Sequence, residues 1–570
     1  YTYCDVDTQT LASAIGNGEK YAYSDEDMRM GGAVQSSQDG RIVAVIGGRN
    51  YSYGNYNFAT QKQQPGSSVK PFLDYGLAFE NLDWCTGKTL EDTPYSKGKF
   101  TPKNWDGQFH GTVTLTSALE NSWNIPAIKT YEEVTKEIGK SGVVSAMESL
   151  GIDMSKETNP TNLSYAIGGW DRGISPLEMA SAYATISNNG LYTESHTINY
   201  VEVVQTGETF NIDEEIQNNA KQSAYSKASA FMVRQVMLDY TKNGSGNYAY
   251  VSGINNVGAK TGTSNWSNSA KNGMAGKSRD LWMSAYTSDY ICSVWMGFGK
   301  EGIDKGKTTS QYKAYPGKVV QTLLNHLQSK GSQKSYPDQP DDVEQAAMVK
   351  GIYPYVSPSE GMSEDMIIQA WFKKGTAPTQ SVDSDVFNLS ELTSFDVSLN
   401  GQSLSFNFAP YSPENAVTDE NATEGTKTFG KVVYTVVVSD ESGQELHRES
   451  FSTASGTLNY TVTSNVKVTG FYSYEKAPDR TSNKIEKTIA LQLTSINASL
   501  SCDSGQINDG AVISSTAIRA VISEQGQGHA LTIALYDRSG NLLSSVNHNN
   551  ATFSNLSRGH QYFVKFMESN

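Results

Sequence analysis

Between Ser335 and Asp342 the chain places two prolines (Pro337 and Pro340) and three aspartates (Asp338, Asp341 and Asp342). Proline has no amide hydrogen and a fixed φ, so the helix-like run Val319–His326 cannot continue through this stretch, and the chain must divide there. The material on the two sides differs. Residues 31–335 are almost neutral (+1), residues 336–570 carry −12, and residues 1–30 carry −4. Before the break the apolar patterns are mixed: Arg41–Ile46 and Tyr290–Gly297 read as buried strands, and Ala228–Asp239 has helical spacing. After about residue 385 the pattern is alternation, as in Lys431–Val438, Leu458–Thr463 and Ala530–Tyr536, punctuated by Gly, Asn, Asp and Ser. Short alternating strands with such punctuation predict β-sandwich-like modules.

This gives five segments: an N-terminal linker (1–30), an α and β domain (31–335), a second linker (336–385), a β-rich domain (386–498) and a further β-rich segment (499–570). The 570 residues, 37% hydrophobic and 10% aromatic, supply enough apolar material for several packed cores. The net charge of −15 has the wrong sign for a broad nucleic-acid surface. No run of about 18 apolar residues marks a membrane span, and residues 1–30 lack a signal-peptide pattern. Cys4, Cys85, Cys292 and Cys502 are too dispersed for a zinc site or a disulfide framework. The seven histidines show no ligand spacing, and no G-x-S-x-G elbow is present. The reading therefore includes no metal and no cofactor.

The chemistry lies in three short motifs. In Gln64–Phe72, Pro65-Gly66 breaks the chain just before Ser67, and Lys70 follows at i+3. If a helix opens here, a hydroxyl nucleophile and an amine base share one face near its positive end. Ser122-Trp-Asn124 follows 55 residues after Ser67, and Lys260-Thr261-Gly262-Thr263 lies 138 residues beyond Ser122. Each motif alone has a plain structural explanation, as a helix cap or a turn. S-x-x-K, S-x-N and K-T-G in this order form the signature of penicillin-binding proteins and β-lactamases.

On these motifs residues 31–335 resemble the transpeptidase domain of class A (bifunctional) penicillin-binding proteins. Asp39–Arg49, Trp105–Gly111, Asn124–Ala127, Ala166–Gly169, Ser175–Ala180 and Asp280–Trp282 also look like family segments. The resemblance implies an α+β fold, with an antiparallel sheet flanked by helices and an all-helical subdomain. It implies a D,D-transpeptidase that cross-links peptidoglycan stem peptides through a serine acyl-enzyme and is a target of β-lactams. It assigns Ser67 as nucleophile, Lys70 as base, Ser122 as proton relay and Lys260 as the second cation. Asn124, Thr261, Gly262 and Thr263 become substrate-binding residues, with the Ser67 and Thr263 amides as oxyanion donors. It also implies an extracytoplasmic location at the cell wall and, in the full-length protein, a membrane anchor and a glycosyltransferase domain, neither of which fits in residues 1–30.

Rival readings share the nucleophile. A β-lactamase needs a carboxylate to activate water, and Glu157 is the candidate. A D,D-carboxypeptidase needs only water in place of the acceptor amine. A penicillin sensor, or an adhesin whose β-rich tail carries the function, completes the alternatives. Trp123, Trp266 and Tyr286 read as packing residues, with Trp123 placed to border the cleft.

Overall fold

The computed structural model describes residues 1–23, 25–243, 256–331, 334–360, 362, 364–383, 385–412, 423–490, 493–526 and 530–569. His529 lies outside them. The chain forms two units, residues 1–351 with 355–379, and residues 352–354 with 380–570.

The first unit is built on strands β1 (Arg29–Ser36), β2 (Ile42–Ile46), β3 (Gly258–Asn265), β4 (Ser278–Tyr286) and β5 (Tyr290–Gly297). Their order is β2-β1-β5-β4-β3, and every neighbouring pair is antiparallel. The inner strands β1, β4 and β5 are buried along nearly their whole length, so they read as continuous apolar runs rather than alternation. Five main helices accompany the sheet: α1 (Val6–Gly16), α2 (Asn124–Glu148), α3 (Pro176–Ser187), α4 (Lys227–Asn243) and α5 (Tyr315–Gln328). Against one set of strand residues, including Val34, Met283, Cys292 and Val294, pack Ala12 and Ile15 of α1 and Val319, Val320, Leu323, Leu324 and Leu327 of α5. The i, i+3, i+4 spacing in α5 gives one apolar stripe, and each such buried Leu or Val contributes roughly 1.5–3 kcal/mol. The residues that alternate with these, Ala33, Trp282, Tyr286, Ile291 and Trp295, meet the helical layer of α2, α3 and α4. Helix α3 starts where its sequence dictates. Ser175 and Glu178 close a reciprocal capping box and Pro176 occupies the first turn.

The domain boundaries differ from the sequence expectation in three places. Residues 1–30 are not a linker: Asp5 caps α1 by accepting from the Thr8 amide at 2.8 Å, and Ala12, Ile15, Tyr23 and Met28 enter the core. Residues 336–385 are not a plain linker either. Strands β6 (Val343–Val349) and β7 (Ile367–Lys373) pair in register, and Met348, Ala370 and Phe372 pack on Cys85. The boundary at 498/499 cuts a strand, Leu493–Cys502.

The second unit holds two sheet pairs. In the first, strands Phe395–Asn400, Ser403–Phe408 and Ser455–Thr461 form one sheet, and a second is built around Val432–Ser439 and Val466–Tyr474. Aromatic contacts between them, Phe406–Phe451 at 4.4 Å and Phe408–Tyr434 at 5.3 Å, form the core. In the second pair, Ala520, Ile522 and Phe553 of one sheet pack with Ile533 and Leu535 of the other. No described helix is long and apolar enough to cross a membrane.

Candidate active site

Ser67 sits in a tight turn whose geometry follows from Pro71. Proline cannot donate to a carbonyl one helical turn back, and its ring crowds that carbonyl. Accordingly the chain runs as a 3-10 turn over Gly66–Val69, with the Lys70 amide donating to the Ser67 carbonyl, and then widens to a π-helical turn over Pro71–Gly76. Residues three apart eclipse in a 3-10 turn, which stacks Ser67 and Lys70. The turn is clamped from three sides: Trp282 Nε1 donates to the Gln64 carbonyl at 2.8 Å, the Gln64 carboxamide pairs with both backbone groups of Trp170, and Tyr183 donates to the Ser68 carbonyl at 2.7 Å.

Two glycines let strand β3 approach this turn. A Cβ on Gly262 would meet Ser68 Oγ at 2.3 Å and the Pro65 carbonyl at 2.4 Å. One on Gly66, whose φ is +56°, would meet the Thr263 carbonyl at 2.5 Å. Gly262 is thus required for the approach of the strand. The same approach brings the backbone around Ser67 against that of Thr263, the pair expected to bind an oxyanion.

The other motif residues converge on two buried amines. Lys70 Nζ lies within hydrogen-bond distance of the carbonyls of Ser122 (2.8 Å) and Trp123 (3.1 Å) and of Asn124 Oδ1 (2.9 Å), a set it fills with three N–H groups only once protonated. Lys260 Nζ donates to Ser122 Oγ at 2.8 Å and to the Thr261 carbonyl at 3.2 Å. Ser122 therefore joins both lysines, one through its carbonyl and one through its hydroxyl, from a left-handed φ of +55°. Both lysines are fully buried. Burial, reinforced by the charge of Lys260, holds the Lys70 amine well below the usual lysine range. Burial brings Lys260 down to about 7. Asp74, one turn beyond Lys70, is also fully buried, and burial pushes its carboxyl upward.

Along β3 the alternation turns Lys260 and Gly262 inward, leaves Thr261 half-buried and exposes Thr263. Thr261 Oγ1 shares a hydrogen bond with the Tyr240 hydroxyl at 3.0 Å. Asn124 is occupied at both ends of its carboxamide: Oδ1 accepts from Lys70, and Nδ2 donates to the Lys103 carbonyl at 2.9 Å.

Glu157, the candidate water-activating base, is committed elsewhere. Its carboxylate accepts from the Tyr165 hydroxyl (2.7 Å) and from the amides of Asp171 (2.8 Å), Arg172 (2.9 Å) and Gly173 (3.0 Å). It folds the 165–173 segment, whose Gly168 lies so close that a Cβ there would meet the Gly66 amide nitrogen at 2.2 Å. Trp123, Trp266 and Tyr286 are buried packing residues.

Sequence reasoning missed Asp92, Asn104 and His110. Asn104 Oδ1 accepts from the amides of Asn124 (2.8 Å) and Ile125 (3.0 Å), capping α2 from a distant loop. His110, one of the seven histidines without ligand spacing, stacks on Trp123 with ring centroids 4.0 Å apart. Among the described residues no group of three His, Cys, Asp or Glu side chains is placed to hold a metal.

An antiparallel sheet between helical layers, with a serine-lysine turn pressed under its edge strand, is the architecture of penicillin-binding transpeptidases. Residues 30–307 match the family model described as the penicillin binding protein transpeptidase domain, and this part of the chain is such a domain. Penicillin-binding protein 1A/1B of Bacillus subtilis is 33% identical over 387 residues, which is 66% of this chain and 40% of the relative. Penicillin-binding protein 4 of the same organism is 32% identical over 52% of this chain and 44% of its own length. The chain thus spans less than half the length of these relatives. The solved structure of the penicillin-binding protein PonA1 from Mycobacterium tuberculosis has the same fold, with a TM-score of 0.52 and 22% identity over 60% of this chain and 87% of that one. PonA1 in complex with penicillin V gives a TM-score of 0.51 at 22% identity, over 60% of this chain and 88% of that one.

Proposed function

We propose that this protein is a D,D-transpeptidase of peptidoglycan synthesis that works through an acyl-enzyme on Ser67 and is inhibited by β-lactams at the same serine. The observation that carries the reading is the joining of Lys70 and Lys260 through Ser122 beside the Ser67 turn. In this reading Ser67 Oγ attacks the carbonyl of the penultimate D-Ala of a stem peptide, and its proton passes to neutral Lys70. A buried lysine with a cation nearby is the kind that can be neutral near pH 7. The Ser67 and Thr263 amides stabilise the oxyanion, and removal of such a donor typically costs ~10²- to 10³-fold in rate. As the C–N bond breaks, the leaving D-Ala amine takes a proton from the Ser122 hydroxyl, and Lys260 Nζ, 2.8 Å from that oxygen, replaces it, to be recharged when the acceptor amine gives up its proton by the same route. An acceptor amine then attacks the ester, a new amide forms, and Ser67 regains its proton. Lys260, Thr261 and Thr263 bind the terminal carboxylate of the donor. A β-lactam presents the same carbonyl and carboxylate, and penicillin V is bound by a structural neighbour.

Peptidoglycan lies outside the cytoplasm, so the domain acts on the outer side of the bacterial membrane, with stem peptides as partners. The test is product mass after incubation with a stem-peptide thioester mimic and a D-amino acid. The aminolysis product is expected. Free acid alone would assign a carboxypeptidase and overturn the reading.

A further inference from the structure

The segment Ser122–Asn124 supplies all three acceptors of Lys70 Nζ, yet nothing within the segment accounts for its own placement. Ser122 is held at φ +55°, a conformation that is strained for a residue with a side chain. Trp123, at the N-cap position of α2, has no side chain able to cap the helix. Asn104 does this instead, through the bonds from its Oδ1 to the amides of Asn124 and Ile125. The carboxamide can face that way only if its Nδ2 is held on the other side. Asp92 does so, since Nδ2 lies 2.8 Å from both carboxylate oxygens, and Nδ2 also donates to the Gln108 carbonyl at 2.8 Å.

Asp92 is fully buried, and its partners are two N–H donors, Asn104 Nδ2 and the His110 amide (3.0 Å), together with His110 Nδ1, which lies 2.6 Å from Oδ2 and donates in its Nδ1–H tautomer. A neutral carboxamide at position 92 would turn an N–H toward one of these donors, whereas a carboxylate accepts from all of them. His110, held by Asp92 and 3.3 Å from Asp106, lays its ring on Trp123, the middle residue of the segment. Both arms of the network thus end on residues whose oxygens hold Lys70.

We propose that Asp92, Asn104 and His110 are positioning residues for the reaction, fixing the Ser122–Asn124 segment and through it the orientation of Lys70. The proposal rests on the acyl-transfer reading above. It predicts that variants in the network lower the rate constant of acylation at saturating penicillin by a larger factor than they raise the half-saturating concentration, because Lys70 is displaced while Thr261 and Thr263 are untouched.

The test compares Asp92→Asn, Asn104→Asp and the double exchange in the full chain, with benzylpenicillin as probe. Each single change mismatches donors and acceptors and is expected to slow acylation of Ser67 about tenfold or more. The double exchange restores an amide facing a carboxylate, and is expected to regain most of the loss, a coupling that only interacting residues show. Wild-type rates in folded single variants, or a double variant no faster than the slower single one, would overturn the proposal. So would a loss confined to half-saturation. If a single variant does not fold, His110→Phe keeps a ring on Trp123 and removes one partner of Asp92. It is expected to slow acylation at least threefold, and an unchanged rate overturns the proposal. A wild-type protein that is not acylated at all would fail the functional reading itself, an outcome distinct from any of these.

Discussion

The two units of the molecule bury different kinds of group. Around the site the first unit buries Lys70, Asp74, Asp92, Glu157, Lys260 and Asp280, whereas the buried polar residues described in the second unit are Thr426, Thr428, Thr435, Ser439, Ser473 and Ser482. A hydroxyl can be satisfied by one neighbour at little cost, as when Thr435 bonds Ser473 across two strands at 2.7 Å. A buried charge costs several kcal/mol unless it is closely paired. The second unit is therefore packed as apolar and aromatic sheet pairs whose described buried polar residues are hydroxyls, and the first holds buried ionisable groups around the serine-lysine turn. The contrast predicts that substitutions at the buried lysines of the first unit change reactivity more than stability, and that core substitutions in the second do the reverse.

The largest effect is expected at Lys70. Lys70→Ala should slow acylation of Ser67 by ~10²- to 10⁴-fold, the range for loss of a general base, with the circular dichroism spectrum unchanged. A near wild-type rate would assign the base elsewhere. On the other side of the comparison, Phe408 lies in the second unit's aromatic core, 4.6 Å from Phe395 and 5.3 Å from Tyr434. Phe408→Ala should cost about 3–5 kcal/mol in the unfolding of that unit, measured by denaturant titration, while the rate of Ser67 acylation stays the same.

A smaller effect on both axes is expected where the strand and the nucleophile turn touch. Gly262→Ala places a methyl against Ser68 Oγ and the Pro65 carbonyl. It should destabilise the first unit by about 1–3 kcal/mol and slow acylation, as the turn is pushed off its position. Glu157→Gln replaces an acceptor oxygen with a donor facing backbone amides. A cost of about 1–3 kcal/mol in thermal stability is expected, with no change in how long the acyl-enzyme persists. Rapid hydrolysis of a chromogenic β-lactam by the wild-type protein, abolished by this substitution, would restore the lactamase reading.

The pH dependence sharpens the contrast further. Acylation needs neutral Lys70 and charged Lys260. The rate should therefore rise as pH passes the lowered titration of Lys70 and fall as pH rises through about 7, where Lys260 titrates. Stability moves the other way. Lys260 titrates far below its ordinary 10.5, so the unfolded chain binds more protons between about 7 and 10.5, and its contribution to stability grows as pH rises through that window. Lys260→Met should abolish this gain.

The site was legible in the sequence where its logic is local. Ser67 and Lys70 lie three residues apart, Ser122 and Asn124 two apart, and Lys260, Thr261, Gly262 and Thr263 are consecutive. Asp92, Asn104 and His110 were not legible, because their meaning comes from contacts with residues 12 to 21 positions away, such as Asp92 with Asn104 and Asn104 with Ile125. The central sheet was seen through its two most apolar strands. Helix α1 was missed because an acidic, polar face hides a stripe as narrow as Ala12 and Ile15. The β6–β7 hairpin was missed because the prolines and aspartates ahead of it suggested an open linker, and its buried residues, Met348, Ala370 and Phe372, find their partner at distant Cys85.

The central claim is that Ser67 is the nucleophile of a slow-turnover acyl-enzyme. Intact-mass measurement followed by peptide mapping after exposure to penicillin tests it most directly. One adduct per chain, on Ser67 and persisting for minutes or longer, is the predicted result. An adduct on Ser68 or Ser122, or none at all, would contradict it.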